Sequence, residues 1–88
     1  MVFTKTKKES VKQMIFANGF EKALLGAGRQ AHRDVAVYDY DKCVRILMKR
    51  EKWTEEEALE WMEYNVVGAY VGESTPVFVM MGQMPDDE

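Results

Sequence analysis

Apolar residues recur along this chain in two rhythms, and the change from one to the other falls around Asp39. Before it, Val35-Ala36-Val37-Tyr38 is a compact run rich in β-branched residues and flanked by aspartates, which predicts a short buried strand. After it, Tyr40, Val44, Leu47 and Met48 follow the i, i+4, i+7, i+8 spacing of one helix face. Asp39 and Asp41 suit the positive end of that helix, and Lys49, Arg50 and Lys52 suit its negative end. A second helix is expected from Glu55. Thr54 followed three residues later by Glu57 makes a capping box, in which side chain and backbone of the two residues exchange hydrogen bonds. Ala58, Leu59, Met62, Val66, Ala69 and Tyr70 form its apolar face, Glu56, Glu60 and Glu63 the opposite one, and Trp61 covers the rim. The helix is expected to end between Asn65 and Val71, with Gly72 as the residue past its terminus and Pro76 barring resumption. Gly68 is read as a point of close approach for the first helix.

Outside this pair the pattern is shorter-ranged. Thr75–Met81 reads as a last strand, with Pro76 at its start where no ladder donor is required. Over 22–29 a strand is preferred to a helix, because Gly26 and Gly28 would each cost a helix roughly 1 kcal/mol. In a strand the two glycines mark a bulge or a place where another element lies close. Residues 31–34 form a polar turn. Val11, Met14 and Ile15 have helical spacing behind a Ser10 cap, predicting a short helix over 10–17 that Asn18-Gly19 ends. The competing reading there is an extended arm that packs Ile15 and Phe16 against the sheet. The sum is a single α+β domain over 1–88, with 1–9 and 83–88 expected to be mobile. A helical hairpin packs on a small, mainly antiparallel sheet of about three strands, whose order the pattern leaves open.

Charge divides the chain. Residues 1–33 carry a net +5, 34–50 a net +1 and 51–88 a net −9, within a total of −3. Such a gradient bears on partners and solubility, and its simplest reading is two solvated faces of opposite sign. No stretch approaches the roughly 18 apolar residues of a membrane span. The lysines at 5, 7 and 8 are followed by no apolar run, so no secretory signal is expected. Cys43 is the single cysteine, which excludes an internal disulfide and a cysteine metal cluster. A cytoplasmic protein is the expectation.

Candidate chemistry is sparse. A helix, a short turn and a second helix suggest a DNA-binding motif, but the turn that would meet the phosphates is Glu55-Glu56-Glu57, of the wrong sign. Lys5, Lys7, Lys8, Lys12, Arg29 and Arg33, interleaved with Phe3, Phe16 and Phe20, make a weaker nucleic-acid case, better read as a solubilising arm. Gly26-Ala27-Gly28-Arg29 has the spaced glycines of a phosphate loop without the third glycine of the dinucleotide fingerprint or the lysine of a P-loop. Asp39, Asp41 and Glu73 offer oxygen ligands to a divalent cation, yet helix capping already accounts for both aspartates, and no metal or cofactor is expected. Cys43 reads as a small core residue and His32 as a turn residue. The ligand-binding candidates are Glu73, Ser74 and Thr75, read as lining a pocket with Tyr38 and Tyr40, and Arg29 from the glycine segment. Local turn hydrogen bonds explain Ser74 and Thr75 equally well.

At Val35–Cys43 (VAVYDYDKC) and Asn65–Val79 (NVVGAYVGESTPVFV) the chain resembles a group of short, mostly uncharacterised proteins encoded by bacteriophages and some bacteria. The similar region runs from Phe20 to Val79 and includes Glu56-Glu57-Ala58 at the helix start. The resemblance implies the cytoplasm of an infected bacterium and action by binding host machinery, and it supplies no catalytic residue. From the lack of convergent catalytic groups, the charge asymmetry and the small size, the expected function is a non-catalytic protein-interaction module that binds a host protein or a second copy of itself. The alternative is a small-ligand or nucleotide-binding module using the Gly26–Arg29 loop or the Gly72–Thr75 turn.

Overall fold

The structure, a computed structural model, describes residues 3–5, 14–31, 33–72 and 74–81. In chain order it contains β1 (Phe3–Lys5), β2 (Ile15–Ala17), a 3-10 turn (Glu21–Ala23), β3 (Leu24–Gln30), β4 (Arg33–Asp39), α1 (Tyr40–Glu51), α2 (Glu55–Met62), a π-helical turn (Glu63–Val67) and β5 (Val77–Val79). The α+β architecture is as the apolar pattern predicts. Strands β3, β4 and β5 form one sheet with β4 in the centre. The β3–β4 pair is antiparallel, with Gln30 opposite Arg33 across the turn, whereas β5 runs parallel to β4, with Tyr38 opposite Phe78. Parallel neighbours need a long crossover, and the helix pair with 68–76 supplies it.

Each glycine of β3 has its own cause. The register slips between Leu24 and Gly26, leaving Leu25 as the extra residue of a bulge, and Gly26 sits there at φ 148°, where a side chain would be strained. Gly28 is paired with Val35, and a Cβ on it would lie 2.9 Å from a methyl carbon of the diagonal neighbour Val37. Both readings offered for this segment, bulge and close approach, apply, one to each glycine.

Helix α1 begins where Asp39 Oδ1 accepts the Lys42 amide at 3.1 Å. It ends at Lys52, which turns left-handed at φ 61°. Three residues later α2 starts on the complete capping box: Thr54 Oγ1 accepts the Glu57 amide at 3.2 Å, and Glu57 Oε1 accepts the Thr54 amide at 2.9 Å. The buried face of α1 is Tyr40, Cys43, Val44 and Leu47, with Met48 half-buried. Against it α2 and its continuation bury Ala58, Met62 and Val66, with Leu59 half-buried. Phe20, Tyr38 and Ala36 complete the same core.

Three expectations are corrected. The helix over 10–17 is not formed at its end: Ile15–Ala17 is a strand, and the extended alternative holds there, with Ile15 buried and Phe16 packed against the core. This strand pairs antiparallel with Phe3–Lys5, so part of the arm expected to be mobile is a strand. The second helix loses its α geometry after Met62 and passes through the π turn to Gly68, not Gly72. The Gly68 amide closes that turn on Glu63 O at 3.0 Å, and a Cβ would lie 2.6 Å from the same carbonyl oxygen. Gly68 is therefore required by its own turn, not by α1, and Tyr70, expected on the apolar face, is 76% exposed. The Ser10 cap, the 83–88 tail, His32 and Glu73 lie outside the described residues.

Because the capping box joins the two helices through a three-residue link, Thr54→Ala is expected to destabilise the protein by about 1 kcal/mol. Urea unfolding would read this as a lowered midpoint at unchanged slope.

Candidate functional site

Of the residues singled out from sequence, Tyr38, Tyr40, Arg29 and Thr75 bond within the protein. Tyr38 is fully buried, its ring stacked on Phe78 at 5.4 Å between centroids, and its hydroxyl oxygen accepts the Ala17 amide at 2.8 Å. Tyr40, at the first position of α1, donates its hydroxyl to Glu63 Oε2 at 2.8 Å and so ties α1 to the π turn. Arg29 is exposed at the other end of the β3–β4 pair, its Nε 2.6 Å from Asp34 Oδ1. Four strand positions separate Asp34 from Tyr38, roughly 13 Å along β4, so Arg29 and the tyrosines are not brought together. In the Gly72–Thr75 turn, Thr75 Oγ1 accepts the Val71 amide at 3.0 Å and donates to Gly72 O, the local bonding that a tight turn demands. Ser74 is half-buried beside it.

Burial and the Glu63 bond push the Tyr40 hydroxyl up to about 12. Burial, with the Asp39 carboxylate adding to it, pushes the Cys43 thiol up to about 12, and burial likewise raises the Tyr38 hydroxyl. None of the three is poised as a base or nucleophile near neutral pH. Among the described residues, no group of three or more His, Cys, Asp or Glu side chains is placed to hold a metal ion, and no helix is long and apolar enough to cross a membrane.

Two open grooves lie elsewhere, one on each helix and of opposite charge. The first, of about 350 Å³, is lined by Trp53, Glu57, Glu60, Trp61, Tyr64 and Asn65. From Glu57 onward these fall at i, i+3, i+4, i+7 and i+8, one continuous side of α2 and the π turn, away from the Ala58, Met62 and Val66 stripe. Trp53 reaches this side because the left-handed Lys52 redirects the chain just before the cap, and its ring lies 6.2 Å from that of Trp61. The Asn65 amide holds Trp61 O at 3.2 Å. The second groove, of about 480 Å³, has the alkyl side of Ile46 among Lys22, Lys42, Arg45, Lys49 and Arg50. Arg50 is committed: it lies over the Phe20 ring and donates to Gly19 O and Glu51. Neither groove contains a residue expected from sequence to bind a ligand. The signal for the first was present, since Trp61 and Tyr64 are spaced by one helical turn on the acidic side.

Removing the Tyr38 hydroxyl strands the buried Ala17 amide, so Tyr38→Phe is expected to cost about 1–3 kcal/mol in denaturant unfolding. Tyr38, Tyr40 and Cys43 hold their protons more tightly folded than unfolded. Their stabilisation is thus complete below the ordinary thiol value of 9.0 and falls as pH rises, the loss from Tyr40 and Cys43 running to about 12. Melting temperature should fall above pH 9.0, and Cys43→Ala should move the onset toward the phenol value of 10.0; a rise instead would contradict the assignment. No protein-family model, curated protein or solved structure matches the chain.

Proposed function

We propose that this protein is a non-catalytic protein-interaction module whose open edge strand β3 pairs with a strand from a second copy or from a host protein. The observation that supports this reading is the exposure of β3. None of its seven residues is buried, and Leu24 and Leu25 are 39% and 50% exposed. Its inner edge pairs with β4, and among the described residues its outer edge pairs with nothing. Such an edge, long and carrying exposed leucines, is what folded proteins ordinarily cover or charge, and it is the template on which an added strand gains main-chain hydrogen bonds. A domain of this length also buries a modest fraction of its surface, so covering more of it by association would add stability.

The ligand-binding alternative has weaker support. Its Gly26–Arg29 segment lies within β3 rather than in a loop, and its Gly72–Thr75 turn is closed on itself by Thr75.

Light scattering across a dilution series tests the proposal. The mass is expected to rise above 10.2 kDa with concentration, or a captured protein partner to be retained, and Leu25→Lys to abolish either by placing a charge on the edge. Leu25 is half-exposed, so that substitution should change stability little. A constant 10.2 kDa together with no partner that Leu25→Lys releases would remove the proposal.

A further inference from the structure

We propose that the groove of Trp53, Trp61, Tyr64, Glu57 and Glu60 binds the guanidinium group of an arginine in a basic segment of a partner protein. The site lies on α2 and the π turn, and the inference does not depend on strand pairing at β3. Its walls are aromatic. Trp53 and Trp61 are half-buried and packed against the core, which fixes their rings, whereas Tyr64 is 79% exposed and contributes nothing to that core. A cation is attracted to the negative faces of such rings, most strongly to indole. At 6.2 Å between centroids and tilted by 47°, the two indoles are too close to admit a group between them, since a sandwich needs two contacts of about 3.5 Å each. The cation therefore rests against their groove side, with Tyr64 as the outer wall.

Charge points to the same occupant. The segment Glu55–Val67 carries five carboxylates and no lysine or arginine. Glu60 has no partner among the described residues, and Glu57 uses Oε1 for the Thr54 amide, leaving Oε2 to a ligand. A planar guanidinium satisfies both demands at once, stacking flat on an aromatic face while its fork donates to carboxylates; a compact ammonium does only the second well. The π turn supplies the geometry. Within it Val66 stays in the core while Tyr64 stands out at the groove mouth, and π turns are frequent at functional sites.

The chain contains two tryptophans and both line the groove, so intrinsic fluorescence reports directly on it. The probe is a short peptide with paired arginines, compared with the same peptide bearing citrulline, which keeps the shape and removes the charge. A saturable fluorescence change is expected with the arginine peptide only, matched by calorimetric heat. Binding should weaken about tenfold in Tyr64→Ala and in Glu60→Gln, both exposed positions whose substitution should leave the melting temperature unchanged. Equal binding of the citrulline peptide, undiminished binding by both variants, or no fluorescence or calorimetric response would overturn the proposal. So would binding of tetramethylammonium ion without the peptide, which would make the site one for small cations. A fluorescence change that follows protein concentration alone and vanishes in Tyr64→Ala would assign the groove to a second copy and overturn it equally.

Discussion

A single phenol ties together the parts of this molecule that lie furthest apart in sequence. Tyr38 stands near the end of the central strand, its ring stacked on Phe78 of β5 and its oxygen accepting the amide of Ala17 in β2. Through β2 it also positions β1, and through the chain that follows it sets the start of α1. A two-stranded sheet such as β1–β2 is marginal in water by itself, and this bond from a buried amide helps to fasten it to the body. Tyrosine suits the position because it brings both a large apolar face and one acceptor, whereas an aliphatic residue would leave a buried N–H without a partner.

The helix pair depends on different physics. Its geometry is set almost wholly by local rules: an aspartate cap, a left-handed lysine, a reciprocal threonine–glutamate cap and a π turn closed on Gly68. One consequence is that two faces of the pair are specified together. The stripe that enters the core leaves the opposite side of α2 to carboxylates and aromatic rings, and it leaves the outer side of α1 to lysines and arginines. Opposed grooves thus arise on neighbouring helices without disturbing the packing between them, because helix periodicity separates the residues that pack from those that remain outside.

This division explains what could be read from the amino acids alone. Capping and periodicity act over three to eight residues, so α1, the start of α2 and the central strand were legible, as were the two reasons for glycine in β3. The strand at Ile15–Ala17 was not, because its causes are distant: Ala17 is opposite Phe3 and bonded to Tyr38, while the local spacing of Val11, Met14 and Ile15 is helical. The π turn was hidden for a similar reason. Val66 and Val67 are weak helix formers, and nothing local distinguishes widening at Glu63 from continuation to Tyr70. Candidate binding residues were sought where polar groups and glycines cluster in sequence, and there the hydroxyls of Tyr38, Tyr40 and Thr75 satisfy internal bonds. The aromatic groove instead joins Trp53, before the cap, to side chains two turns into α2, a proximity that only the bend at Lys52 creates.

Cys43 adds a practical property to this arrangement. It is the single sulfhydryl of the chain, sealed beneath α1 with 0% exposure and kept in its unreactive protonated form. An alkylating reagent in the surrounding solution therefore meets it only when the helix pair lifts from the sheet. The rate of its modification is a built-in clock for that opening, with no engineered label needed.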